Sequence, residues 1–339
     1  MEELLNTLYV QTQGAHLSLQ TDTVCVRVEG EMVLRVPLMR LQALVLMGNV
    51  TITPFLIHRC AQDGRTLVWL TQWGRYRARV QGPMRGNVLL RRAQQAALDD
   101  YTVTVHMARQ FVAAKIQNCR RLLLRVRREN DADWEQSLLA EACERMAAIL
   151  AGLPEIDDLD KLRGAEGEAA RRYFGVLSLA LGEQRADFGI ERRTRRPPRD
   201  PLNALLSFLY ALVRGECEAA LETVGLDPQI GYLHALRPGR PALALDLMEP
   251  LRPVLADRLA LTLVNRRQIQ THDLQEMRLT DKARKRVLAA YEERKKTLVP
   301  HRVLDRKVQL GFVPHVQARL MARYLRGDLE TYPPYVHRD

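Results

Sequence analysis

Aromatic residues make up only 6% of this 339-residue chain, and its five cysteines are scattered and odd in number. Cys25, Cys60, Cys119, Cys143 and Cys217 show no zinc-site spacing, which argues against a structural thiolate centre and for a reducing, cytoplasmic setting. Long apolar runs are missing too: none approaches the roughly 18 residues that span a bilayer. The start Met1-Glu-Glu has no basic segment ahead of an apolar one, so neither secretion nor membrane insertion is expected. Internal repeats at solenoid periods and low-complexity tracts are absent. Lysine is scarce, supplying seven of the 51 cationic side chains.

Arginine is what the chain has in excess. Lys and Arg total 51 against 40 Asp and Glu, a formal charge of +11 with a pI near 9.7, and this balance favours polyanionic partners. The guanidinium fork matches phosphate oxygens two at a time. The charge is also clustered. Residues 278–307 hold eleven basic side chains against Asp281, Glu292, Glu293 and Asp305, and residues 185–199 hold six arginines against Asp187 and Glu191. These clusters offer Arg192, Arg193, Arg195, Arg196, Arg199, Lys282, Arg284, Lys285 and Arg286 as phosphate contacts. A merely solvated helix face explains the Lys282–Arg286 run equally well.

Against this basic background, Glu166, His234, Asp246 and Glu249 form an oxygen and imidazole set suited to a hard divalent cation such as Mg²⁺ or Mn²⁺. Glu166 lies in Gly164-Ala-Glu-Gly-Glu-Ala-Ala-Arg-Arg-Tyr-Phe174, where Ala165, Ala169, Tyr173 and Phe174 fall on one helical stripe. His234 closes the turn-rich segment Gly225-Leu-Asp-Pro-Gln-Ile-Gly-Tyr-Leu-His234, which places the imidazole on a loop or helix end. In Leu243-Ala-Leu-Asp-Leu-Met-Glu249 the two carboxylates are three apart and share a face if the segment is helical. They repel unless something positive intervenes, and a divalent ion is one solution. The residues alone are at least as well explained by Glu166 as the salt-bridge partner of an arginine and His234 as a hydrogen-bonded structural histidine.

The periodicity changes character near residues 85–100. Before it, Thr7–Gln11, His16–Leu19, Val24–Val28 and Val33–Val36 are short β-rich runs separated by turn residues. Ala43–Met47 and Leu67–Leu70 extend a sheet, Pro54–Ala61 reads as a short helix, and Arg75–Val80 as a further strand. After it, helical patterns occupy residues 88–124, 132–151, 158–182, 201–224, 247–267, 279–297 and 304–326. The expectation is an α+β protein: a small β-rich N-terminal domain over 1–90 and a large, all-helical catalytic domain over 91–339. Asp200 followed by Pro201 predicts a capped helix start just after the arginine-rich loop, and it brings Asn203 into the first turn.

Four stretches now fall into a known order: Glu-Gly-x-x-Ala-x-x-Tyr-Phe around Glu166, Arg-Arg-Pro-Pro-x-Asp-Pro-x-Asn ending at Asn203, Gly-Leu-Asp-Pro-x-x-Gly-x-x-His ending at His234, and Gly-Arg-Pro-x-Leu-Ala-Leu-Asp-Leu-x-Glu ending at Glu249. In order and spacing the chain resembles Cas1, the CRISPR-associated integrase subunit of spacer acquisition, over nearly its whole length. The ending Arg326-Gly-Asp-Leu-Glu-Thr-Tyr-Pro-Pro-Tyr335 is most similar to the subtype I-C branch.

The resemblance implies metal ligation by Glu166, His234 and Glu249, with Asp246 assisting and Asn203 supporting. Where many relatives have aspartate as the third ligand, this chain has Glu249. The implied activity is metal-dependent DNA cleavage and integration, with a 3′-hydroxyl attacking the phosphodiester at a CRISPR repeat boundary. Implied partners are double-stranded DNA, a second copy of the chain joined through the N-terminal domain, the small protein Cas2 in a heterohexamer, and a Cas4 nuclease. Two other readings use the same residues: a general metal-dependent nuclease for branched or damaged DNA, and a non-enzymatic basic DNA scaffold.

Overall fold

The computed structural model describes residues 7–41, 43–72, 76–80, 82, 88–194 and 197–338. The chain parts into two compact units, residues 1–86 and 87–339.

The first unit holds strands β1 (Thr7–Val10), β2 (Ala15–Gln20), β3 (Thr23–Val28), β4 (Glu31–Pro37), β5 (Ala43–Met47), β6 (Val50–Ile52), β7 (Thr66–Leu70) and β8 (Tyr76–Val80), with helix α1 (Pro54–Gln62) before β7. They form two four-stranded sheets, ordered β1-β5-β7-β8 and β4-β3-β2-β6. β1, β5 and β7 run parallel, starting from Thr7 opposite Ala43. β2, β3 and β4 form an antiparallel meander that the short β6 joins in parallel. Alternation sends Ala15, Leu17, Val24, Val26, Leu44 and Leu46 into a common core closed by Leu56 and Cys60 of α1. β4 is different: its apolar Met32, Val33 and Leu34 are all exposed. The strands read from the sequence are present, with β6 in addition. Arg75, at the start of the expected last strand, lies outside the described residues.

The second unit is mostly helical: α2 (Val88–Asp99), α3 (Tyr101–Arg128), α4 (Asp133–Gly152), α5 (Leu159–Leu177), the single turn α6 (Arg185–Phe188), α7 (Pro201–Thr223), α8 (Ala242–Met248), α9 (Arg258–Asn265), α10 (Asp281–Lys296) and α11 (Val313–Leu325). Several places depart from the periodicity, among them the 304–326 pattern, where the helix begins only at Val313. The pattern over 88–124 is two helices, because Asp100 leaves helical geometry and its Oδ1 caps α3 by accepting from the amides of Thr102 (2.9 Å) and Val103 (3.2 Å). The 247–267 pattern is broken by Pro250 and Pro253, which supply no amide donors; between α8 and α9 the backbone tightens into a 3₁₀ turn at 249–251 and widens into a π turn at 252–257. Finally, the unit is not all-helical: ribbons β9/β10 (274–275 with 278–279) and β11/β12 (298–301 with 306–309) flank α10. These strands are too short for a two-residue period to show. No helix among the described residues is long and apolar enough to cross a membrane.

Candidate metal centre

α3, α5 and the α8–α9 connection supply the side chains that meet here. α5 starts at Asp158, whose side chain accepts from the Lys161 amide, and it buries Leu162, Ala169, Tyr173, Phe174 and Leu177. Glu166 sits at the edge of that buried stripe, with its side chain 25% exposed. His234 ends a loop clamped onto the start of α8: the Pro228 carbonyl accepts from the Leu243 amide at 2.8 Å. Gly231 makes this approach possible, since a Cβ there would stand 2.5 Å from the backbone carbon of Ala242.

Asp246 is completely buried. Its Oδ2 accepts from the amides of Tyr232 (2.6 Å) and Leu233 (3.0 Å), and its Oδ1 from the His234 amide at 3.0 Å. The same Oδ1 lies 2.6 Å from His234 Nδ1. A carboxylate that takes three amide donors acts as an acceptor, so Nδ1 donates to it and Nε2 is the ring nitrogen left to face Glu249. Nε2 lies 3.9 Å from Oε1 of Glu249. Asp246 and Glu249 thus share a face, as their spacing predicts, but both Asp246 oxygens are taken up by amides and imidazole.

Positive side chains occupy the space between the remaining carboxylates. Lys115 of α3 is ion-paired to both Glu166 and Glu249, and Arg252 Nη1 donates to Glu249 Oε1 at 2.6 Å. Burial works against ionisation of Glu249, yet Arg252, Lys115 and His234 together hold its carboxyl well below the usual carboxylate range. Burial likewise opposes the charge on Lys115, but Glu249 and Glu166 hold its ammonium above the ordinary lysine value. Behind them, the hydroxyls of Tyr173 and Tyr210 donate to Asp257 at 2.8 and 2.6 Å. Arg252 lies over the Tyr210 ring, 4.0 Å from its centroid. Burial raises the Asp257 carboxyl in spite of these partners.

Among the described residues, no three His, Cys, Asp or Glu side chains converge closely enough to hold an ion as they stand. The donor set nevertheless fits one. Glu166, Glu249 and Nε2 of His234 are two carboxylates and an imidazole nitrogen, and the carboxylates are already bridged by a cation, the Lys115 ammonium. A hard divalent ion takes this kind of oxygen-rich set.

Asn203 is wholly committed elsewhere. Its Oδ1 accepts from Arg193 Nη1 (2.6 Å) and the Thr194 amide (3.0 Å), and its Nδ2 donates to the Arg192 carbonyl (3.0 Å) and Asp200 Oδ2 (2.5 Å). It staples the arginine-rich loop to the start of α7, where Asp200 is the expected cap. Arg193, bound also to Ser207 and lying over Tyr210, is turned inward. Arg192 and Arg199 are exposed, and Arg195 and Arg196 lie outside the described residues. On α10, Lys282, Lys285 and Arg286 are exposed, with Arg286 paired to Asp273. Arg284 is a correction: it is 1% exposed and donates to Asp281 and the Leu279 carbonyl, because its position on α10 faces the core beside Val287 and Leu288. Periodicity also missed Lys115, Arg252 and Asp257. A rare lysine amid Val112-Ala-Ala-Lys-Ile116 was the available signal for the first.

The sequence profile of "CRISPR associated protein Cas1" matches residues 8–293. This chain belongs to the Cas1 family. A CRISPR-associated endonuclease Cas1 of Moorella thermoacetica is 51% identical to it over 100% of both chains. A Cas4 exonuclease/Cas1 endonuclease fusion of Geobacter sulfurreducens is 37% identical over 98% of this chain and 60% of its own length. Among solved structures, a Cas1 protein from Thermotoga maritima aligns with a TM-score of 0.80 at 23% identity, covering 97% of this chain and 99% of that one. A casposase bound to integration product aligns at 0.83 and 20% identity, over 98% and 95% of the two chains. A chain of a Cas6-RT-Cas1–Cas2 complex aligns at 0.83 and 23% identity over 100% of this chain and 37% of its own. At these identities the structural likeness is one of fold: a β-sheet region followed by a mostly helical portion. The chain is an enzyme of the CRISPR-associated endonuclease Cas1 family.

Proposed function

We propose that this Cas1 protein is a metal-dependent DNA integrase that inserts captured DNA fragments into a CRISPR array as new spacers. The 3′-hydroxyl of a fragment attacks the phosphorus at a repeat boundary; a new O–P bond forms to the repeat's 5′ end, the bond to the adjoining strand's 3′-oxygen breaks, and that oxygen ends with a proton in place of the one the attacking hydroxyl loses. Glu166, His234 Nε2 and Glu249 would hold Mg²⁺ or Mn²⁺, which would supply Lewis-acid polarisation of the phosphodiester. Asp246 fixes the tautomer and orientation of His234. Arg252 holds Glu249, and Asn203 positions Arg193 and the loop carrying Arg192 and Arg199. Exposed Lys282, Lys285 and Arg286 bind phosphates without reading sequence.

The observation that carries this reading is His234 locked by Asp246 through Nδ1, with Nε2 toward Glu249 and a cation bridging Glu249 to Glu166. The assembly follows the same reading. The exposed Met32, Val33 and Leu34 of β4 serve a homodimer contact within the 1–90 domain. Cas2 joins as in the aligned complex, and Cas4 works beside it, as the fused relative suggests. The subtype I-C assignment rests on the C-terminal segment, and the five free, buried cysteines suit a cytoplasmic enzyme.

The test is strand transfer: a labelled duplex with free 3′-hydroxyls, a plasmid carrying leader and repeat, Cas2, and Mn²⁺ or EDTA, with His234→Ala alongside. Label joined to plasmid only with metal and intact His234 is the expected result. Metal-dependent nicking without joined label turns the reading to the general nuclease, and binding alone, unchanged in the variant, removes both.

A further inference from the structure

α3 carries a second functional-looking face beyond Lys115. Asn118, Arg121, Leu122, Arg125 and Val126 recur at the three- and four-residue spacing of one helix side, and they wall a cavity of about 230 Å³. Arg258 and Arg266 also line it, while Pro253, Val254 and Leu261 add apolar surface. Arg121 is shared with a wider cavity of about 850 Å³, whose other cations are Arg127, Arg128 and Arg338. Among the described residues one acid, Glu129, lines the two, and Arg125 pairs with it at 2.7 Å.

Two features coincide here. Several guanidinium groups line a partly enclosed space, where charge is poorly screened. In addition, Nη1 of Arg121 is buried and has no hydrogen-bond partner among the described residues, which is unfavourable for a polar donor. An anion with several acceptor oxygens suits both, and phosphate matches the guanidinium fork. The smaller cavity is below the roughly 300–1,000 Å³ of drug-sized pockets, which limits it to a small group such as a phosphate.

We propose that these two cavities, which share Arg121, are an accessory phosphate site: the smaller takes one phosphate group on Arg121, and the wider takes phosphates of the same strand on Arg127, Arg128 and Arg338. This rests on the DNA reading above and deepens it, since neither arginine cluster recognised along the sequence includes these residues.

The test is fluorescence anisotropy of the full chain with a labelled single strand of about 15 nucleotides and a duplex of the same sequence, across a salt series. Arg127→Gln with Arg338→Gln, both at exposed positions, is expected to weaken single-strand binding on the order of tenfold and to lower the salt slope by roughly 1.4. Arg121→Gln, checked for folding by thermal melting, shifts binding the same way. A charge-matched pair on exposed α4 and α5 positions, Arg145→Gln with Arg171→Gln, leaves single-strand binding in place. Competition by a deoxynucleoside monophosphate or by inorganic phosphate identifies a free anion as ligand; competition by oligonucleotide alone identifies the strand. Equal losses in the charge-matched pair, or no loss in either cavity variant, overturn the site. Wild type that binds duplex but neither single strand nor monophosphate overturns this site only, and wild type that binds no DNA overturns the DNA reading itself.

Discussion

The candidate metal centre and helix α10 are both dense in charge, and they treat it in opposite ways. At the centre Lys115, Asp246, Glu249, Arg252 and Asp257 are all buried, and each has a defined partner. Along α10 the charges divide: Arg284 and Lys295 turn inward, Lys295 onto Glu216 at 2.7 Å, while Lys282 and Lys285 face solvent. The difference has one cause. A buried charge costs too much unless it is paired, so burial converts a list of charged residues into a fixed network. An exposed charge is screened and need not choose a partner. Clustering along the sequence therefore overstates a basic surface, whereas a buried carboxylate pair almost announces its counter-charge.

The largest expected effect is at the imidazole. His234→Ala should cost more in strand transfer than the ~10–100-fold typical of an outer partner of a metal ligand; activity within a few-fold of wild type would dissolve the contrast between centre and surface. Lys115→Met comes next. It leaves Glu166 and Glu249 without their shared cation and should lower stability by about 3–5 kcal/mol, read as a drop in melting temperature that Mn²⁺ partly restores. An unchanged melting temperature would mean that the ion pair does not hold the centre together. Asp246→Asn, which keeps the shape but weakens the hold on Nδ1, should reduce Mn²⁺ affinity by ~10–100-fold, measurable by titration without any DNA.

Smaller effects sharpen the surface side. Lys282→Gln with Lys285→Gln should lower the salt slope of duplex binding by roughly 1.8 with little change in stability. Arg284→Gln should do the reverse, shifting the melting temperature and leaving the slope alone. A pH dependence separates the two regions last. Glu249 is depressed below its ordinary value of 4.5, so its contribution is present above that pH and is lost as pH falls further. Lys115 is raised above 10.5, so its contribution is present below that pH and is lost as pH rises through the folded value. The stability gap between wild type and Lys115→Met should therefore be flat from about pH 6 to 9 and shrink below about pH 4. A gap that widens on acidification would contradict the sign.

Much of this was legible in one dimension. Two-residue alternation marks β1 to β5, and Asp200-Pro201 marks the start of α7. The Gly-Leu-Asp-Pro segment and the Asp246/Glu249 spacing mark the loop and helix that bring His234 to its carboxylates. The irregular turns at 249–257 were not, because prolines forbid a regular ladder without saying what replaces it. Nor was the inward turn of Arg284, because one register position on a helix of mixed charge looks like its neighbours.

By itself the sequence determined which residue types are available, their order, and the local geometry within a few residues: a basic chain with a β-rich start, a helical remainder and a carboxylate–imidazole set. Only the tertiary structure decided that Asp246 belongs to the His234 imidazole, that Lys115, 51 residues before Glu166, bridges it to Glu249, and that Arg121 and Arg338 line one cavity. The reason is physical: short-range propensity acts through backbone dihedrals and neighbouring turns, while the pairing of buried charges is settled by which helices pack together and exclude water.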